Sequence, residues 1–270
     1  MASIALTIAG SDSGGGGGIQ ADLKAFSALG VYGASVITAA TAQNTQAVTA
    51  VHGIPLDVIS AQIDAVLTDL RVDAIKFGML ATPDTIHTVA DALASYKGPL
   101  VLDPVMVAKS GDSLLADDAV STLRDVLIPH ATVLTPNLPE AARVLETSDA
   151  TGPEAMIEQG RALCALGAQS VMMKGGHGEG DMCHDLLVGP EGVVAEFTAP
   201  RRDTKNTHGT GCTLSSSIAA GWPRGWTCAR LWQKHMNTFR APSPWPMIWA
   251  SGRVMAWSIT STGTGTRDAL

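Results

Sequence analysis

The chain predicts an α/β fold: three layers, α/β/α, around a mostly parallel sheet. Three observations carry that reading. Short apolar runs alternate with amphipathic stretches over most of the chain, and strand followed by helix, repeated, implies parallel strands covered on both faces. Aromatic residues make up only 4% while 28 glycines are present, which suits closely packed helices better than a β-sandwich. One segment breaks the alternation: Asp185–Pro200 holds two apolar runs around Gly189-Pro190-Glu191-Gly192, a hairpin pattern.

Buried strands are expected at Ile4–Ala9, Val36–Ala40, Ala74–Gly78, Leu100–Val105, Thr132–Thr135 and Ser170–Lys174. Helical spacing marks Ile19–Leu29, Leu56–Leu70, Pro83–Tyr96, Asp117–Leu127, Leu138–Leu145 and Glu154–Leu166. With no internal repeat and no long linker, a single domain is expected. At 270 residues the chain can bury a substantial core. A net charge of −7 and no clustered Lys or Arg argue against a nucleic-acid footprint. No apolar run reaches membrane-spanning length, and the start of the chain lacks a secretion signal. The four cysteines, Cys164, Cys183, Cys212 and Cys228, are irregularly spaced, which fits a reduced, cytoplasmic protein.

Ligands of such sheets bind beyond the carboxyl ends of the strands, so the loops that follow strands hold the candidate site. Ser11-Asp12-Ser13 leads into five glycines, Gly14 to Gly18. Such a run permits close backbone approach to a ligand and free amides at a helix start, or it is simply a flexible connection. Gln43, in Thr41-Ala42-Gln43-Asn44-Thr45, offers a donor and an acceptor to a nitrogen heterocycle, or it satisfies loop backbone. Asp103 stands at a strand end. Asn137 and Glu140, one helical turn apart, could hold a hydrated Mg²⁺ or cap their helix. Lys174, ahead of Gly175-Gly176, is placed to meet phosphate. In Asn206-Thr207-His208-Gly209-Thr210-Gly211-Cys212-Thr213 the small residues precede a helix and expose amides at its positive end, an anion site. Cys212 lies at that helix start, where a thiol pKa can fall by a unit or more from about 8.5, or it is a buried structural cysteine. No paired His or Cys stands at metal-ligand spacing, so His177 and His208 read as loop polar groups.

Together these motifs resemble the vitamin-kinase branch of the ribokinase-like family, nearest to the hydroxymethylpyrimidine and phosphomethylpyrimidine kinases of thiamine synthesis. The resemblance rests on Ala9–Gly16, Gly18–Lys24, Thr41–Thr45, Lys76–Leu80, Asp103–Met106 and Thr207–Cys212, and it spans residues 3 to about 221. It implies a ribokinase-like fold and ATP-dependent phosphorylation of a pyrimidine alcohol, then of its monophosphate. By resemblance, Gln43 binds the pyrimidine edge, and Gly10, Met79 and Val105 help line that pocket. Gly209, Thr210 and Gly211 form the anion hole, and Cys212 is the base where most relatives carry an aspartate. Lys174 neutralises phosphate charge, while Glu140, Asn137 and Asp103 organise Mg²⁺. A homodimer is implied as well, and a pyridoxal kinase is the neighbouring possibility.

Residues 222–270 depart from this pattern. All six tryptophans lie there, and 6 Lys+Arg stand against 1 Asp+Glu, a net of +5, where residues 1–221 carry −12. The family's closing segments are absent. Tryptophan has the single codon TGG, and reading it one nucleotide earlier gives Leu, Met or Val. Applied to Trp232–Thr238 and Val254–Ser261, the shift permits the family's missing segments in the right order. The expectation is a kinase domain over 1–221 and a family C-terminus written out of frame over 222–270. A non-catalytic pyrimidine-binding remnant is the rival outcome.

Overall fold

A computed structural model describes residues 2–108, 111–112, 114–178, 180–201 and 208–225. Among the described residues nine strands form one sheet in the order β3-β2-β1-β4-β5-β6-β7-β8-β9. Its centre is parallel: β1 (Ile4–Asp12) pairs β2 (Tyr32–Gln43) and β4 (Ala74–Phe77), and the parallel run continues through β5 (Leu100–Leu102), β6 (Val133–Leu134) and β7 (Val171–Lys174). Both edges are antiparallel. β3 (Val48–Gly53) folds back on β2, and β8 (Met182–Gly189) with β9 (Gly192–Pro200) forms the expected hairpin beside β7.

The helices are α1 (Gly18–Ala28), α2 (Leu56–Asp69), α3 (Pro83–Ala92), α4 (Asp117–Thr122), α5 (Leu138–Leu145), α6 (Pro153–Ala165) and α7 (Thr210–Gly221). A π-helical turn, Leu123–Leu127, continues α4, so the expected helix to Leu127 is present in two geometries. The period-2 alternation of the central strands sorts side chains between two cores. Leu6, Ile75, Leu102, Leu134 and Met173 join one core with Ile59 of α2, Ile86 of α3 and Leu163 of α6. Their neighbours Ala5, Ala74, Val101, Val133 and Met172 face the other, with Phe26 of α1 and Leu214 and Ile218 of α7. Small residues on that second face let α1 and α7 lie close to the sheet.

Two parts of the sheet extend beyond the expected strands. β2 runs from Tyr32 to Gln43, and β3 is not among the expected strands. Five of the six β3 residues are exposed, so the strand carries no apolar alternation to announce it. No helix among the described residues is long and apolar enough to cross a membrane.

Candidate active site

β1 ends on Asp12, which is buried, and its carboxylate organises the loop that follows. It accepts the amides of Gly14 at 2.8 Å, Gly16 at 3.0 Å and Gly17 at 2.7 Å. The glycine run therefore curls around its own carboxylate, and those three amides are not free for a ligand. This corrects the expectation of free amides in the loop: an anion is already supplied by the chain. His208 Nε2 lies 2.8 Å from the same carboxylate. Burial by itself raises the Asp12 pKa, but His208 and the amides of Gly17 and Gly14 outweigh it and hold the group below its ordinary 3.8.

The His208–Gly209 turn leads into α7 and packs directly on this loop. Gly209 has φ +78°, and a Cβ there would lie 1.7 Å from the Gly16 carbonyl oxygen, so only glycine fits. Thr210, Gly211 and Cys212 are the first three residues of α7, where amides have no acceptor within the helix and the dipole favours an anion. Asn206 and Thr207 lie outside the described residues.

Cys212 is half-buried and lines the cavity below. The amide of Gly18 hydrogen-bonds its sulfur. Burial pushes its thiol pKa up to about 11, Lys76 opposes this, and Asp22 and Asp103 add to it. A helix start lowers a thiol pKa, but here burial among carboxylates is the larger effect. The lowering that a helix start can bring is therefore outweighed here.

Lys174 closes β7 and points into a carboxylate pair. Its Nζ is 2.9 Å from Asp103 Oδ1 and 3.7 Å from Glu140 Oε2. Burial alone would lower the Lys174 pKa, yet Asp103 and Glu140 raise it above the usual lysine value. Asp103 also accepts Thr135 Oγ1 at 3.1 Å and Ser215 Oγ at 3.2 Å, the latter from α7. Burial favours its neutral form, but Lys174 and Lys76 hold its pKa below the ordinary value. Glu140 moves the other way, to about 7, because burial outweighs the help from Lys174.

Asn137 and Glu140 form a reciprocal capping box at the start of α5. Asn137 Oδ1 accepts the Glu140 amide at 2.9 Å, and Glu140 Oε2 accepts the Asn137 amide at 2.8 Å. The capping alternative is thus present in the fold. As a Mg²⁺ site the set fits in part. Both contacts of Glu140 described here run through Oε2, while both Asp103 oxygens are engaged. Among the described residues there is no group of three or more His, Cys, Asp or Glu that could hold a metal. Mg²⁺ normally keeps several waters and takes only one or two carboxylates beside substrate phosphates, so Glu140 remains suited to that role.

These residues surround one cavity of about 530 Å³, lined by Gln43, Asp103, Val105, Asn137, Glu140, Lys174 and the Gly209–Cys212 segment. Gln43 ends β2, where its Oε1 accepts Thr41 Oγ1 at 3.1 Å and its backbone is tied to Ser13 Oγ. Gly10 and Met79 are not among the lining residues. They pack on one another, and a Cβ on Gly10 would meet Met79 Sδ at 3.2 Å. His208 and Arg143 also line the cavity, neither of them assigned a role from sequence. The signal for Arg143 was its position one turn beyond Glu140 on α5.

Comparison with known proteins bears on the family and the fold. A family model described as Phosphomethylpyrimidine kinase matches residues 12–230. The hydroxymethylpyrimidine/phosphomethylpyrimidine kinase of Escherichia coli K12 is 55% identical over 82% of this chain and 83% of its own. That of Rhizobium meliloti is 53% identical over 83% and 84%. Among solved structures, an ADP complex of Bacillus subtilis pyridoxal kinase superposes with TM-score 0.80 at 36% identity, covering 88% of this chain and 90% of that one. A phosphomethylpyrimidine kinase from Clostridium difficile superposes with TM-score 0.76 at 41% identity, covering 86% and 96%. With a ribokinase-like sheet, a cavity at its carboxyl edge and this likeness over most of its length, the chain belongs to the phosphomethylpyrimidine kinase family.

Proposed function

We propose that this phosphotransferase of thiamine biosynthesis phosphorylates 4-amino-5-hydroxymethyl-2-methylpyrimidine with ATP and then converts the monophosphate to the diphosphate. The observation that carries the reading is the convergence of Gln43, Lys174 and the Gly209–Cys212 helix start on one cavity. A heterocycle-binding amide, a buried cation and an anion-binding helix end are what phosphoryl transfer to a pyrimidine alcohol needs in one place.

The chemistry follows from the placement. The hydroxymethyl oxygen forms a bond to the γ-phosphorus, and the bond from phosphorus to the bridging oxygen of ADP breaks. The hydroxyl proton passes to Cys212 in its thiolate form. The amides of the Gly209–Cys212 turn and the Lys174 ammonium stabilise charge on the transferring group, and such preorganised donors are the main source of rate. Asp103 holds Lys174 in place at 2.9 Å. Mg²⁺, when bound, would neutralise phosphate oxygens, with Glu140 as the residue that holds it and Asn137 orienting Glu140.

The test is phosphorylation of the pyrimidine alcohol and of pyridoxal by ATP, side by side, for the parent chain and Cys212→Ala. Turnover of the pyrimidine that is lost in Cys212→Ala supports the reading. Preference for pyridoxal, or pyrimidine binding by calorimetry without turnover, overturns it. A homodimer and a cytoplasmic location complete the proposal, and sedimentation and cell fractionation test them. The division of the chain also stays a proposal: a kinase domain over 1–221, with 222–270 as the family C-terminus read out of frame. Residues 226–270 lie outside the described residues, and the nucleotide sequence around Gly221 decides the matter.

A further inference from the structure

Beneath the anion-binding turn lies a second charged group with no role in the chemistry above. Lys76 of β4 and Asp22 of α1 form an ion pair with both side chains fully buried. Lys76 Nζ stands 2.9 Å from each Asp22 oxygen. Asp22 further accepts Thr7 Oγ1 from β1 at 2.6 Å and Ser216 Oγ from α7 at 2.5 Å. Ser216 is four residues, one helical turn, beyond Cys212, so the two share a face of α7. A buried ion pair is as a rule no more stabilising than apolar residues of the same shape, so stability alone does not account for one here. Its position does.

We propose that Lys76 is a positioning residue for Cys212: it supplies the buried positive charge that stabilises the thiolate, and Asp22, clamped to α7 through Ser216, fixes where that charge sits. The inference rests on the reading of Cys212 as the base. The groups that act on the thiol come from every side. Lys76 comes from β4, Asp22 and the Gly18 amide from α1, Asp103 from the end of β5, and Lys174 from the end of β7. Among them Lys76 is the largest influence opposing burial, and Asp22 and Asp103 work against it. Lys76 keeps its own proton: burial would lower its pKa, but Asp22, Cys212 and Asp103 hold it above the ordinary lysine value.

The test is alkylation of the full chain by iodoacetamide, read at Cys212 by mass spectrometry across pH. At a pH well below 11, thiolate fraction changes about tenfold per pKa unit, and compensating nucleophilicity leaves about threefold in rate. Lys76→Met is expected to slow alkylation by about threefold or more, and Asp22→Asn to speed it by a similar factor. A purely structural pair moves both variants the same way or neither, and either result overturns the proposal. Should Lys76→Met fail to fold by circular dichroism, the double variant with Asp22→Asn removes both charges. It must alkylate more slowly than Asp22→Asn alone, and equal rates overturn the idea. The readout needs no kinase turnover: opposed alkylation shifts in an inactive chain support this proposal while removing the proposed function.

Discussion

His208 Nε2 and Asp12 Oδ2 meet at 2.8 Å although 196 residues of chain separate them. The contact staples the loop after the first strand to the turn before α7. Because Asp12 also holds three glycine amides, one carboxylate sets the shape of both loops. Asp12→Ala is expected to cost about 1–3 kcal/mol, the penalty for buried donors left unmade, read as a lower denaturant midpoint with an unchanged slope.

The same carboxylate predicts a response to acid. Its folded pKa lies below its ordinary value of 3.8. The stabilisation is therefore present in full above that value and is lost as pH falls through the folded value. Parent and Asp12→Asn should differ in melting temperature at neutral pH and converge in acid. A gap that stays constant down to about pH 3 sinks this account.

Gly209 and Gly211 separate backbone necessity from site geometry. Gly209→Ala drives a Cβ into the Gly16 carbonyl and fixes a positive φ, a strain of about 1–3 kcal/mol before any clash. Loss of soluble folded protein is expected. At Gly211 a Cβ would meet the side-chain end of Lys174 at 3.2 Å and, farther off, Asp103 Oδ2 at 4.0 Å. Gly211→Ala should fold and lose about 10²-fold in kcat, because Lys174 is displaced. An equal melting-temperature loss in both variants would contradict the distinction.

Lys174→Met leaves Asp103, 2% exposed, without its nearest counter-charge. Breaking a buried pair on one side costs about 3–5 kcal/mol, and Asp103→Asn in the same chain should recover part of it. Turnover should fall about 10²–10³-fold in kcat whether or not stability is recovered. A change confined to KM would remove Lys174 from the chemistry.

Restoring the frame after Gly221 is expected to raise both solubility and turnover. On the frameshift proposal, the Trp- and Pro-rich sequence after that point stands in place of the family's closing segments, a substitution expected to leave apolar surface uncovered. Equal turnover by both versions, measured at matched soluble concentration, counts against the frame hypothesis.

Much of this was legible in the sequence because it is local. Apolar runs such as Leu100-Val101-Leu102 and helical spacing such as Leu56–Leu70 need no knowledge of neighbours, and the Gly189–Gly192 turn marks its own hairpin. β3 was not legible, since an exposed edge strand carries no burial pattern. The cavity residues were identified one by one from strand ends, yet their partners were not. Nothing near Asp12 in sequence names His208, and nothing near Lys76 names Asp22. The direction of the Cys212 pKa was not legible for the same reason: a helix start is visible in the sequence, whereas burial belongs to the assembled fold.

The staple between Asp12 and His208 also sets when the site can exist. A polypeptide leaving the ribosome from its N-terminus has made Asp12, Gln43, Asp103 and Lys174 long before His208, so the cavity stays open on one wall until α7 emerges. Contacts of such sequence separation form late, after the loop between them has been closed at an entropic cost. Every described residue that lines the cavity is nevertheless complete by Leu214. On the frameshift proposal, a change after Gly221 would therefore reach a nascent chain whose described cavity residues have already been written.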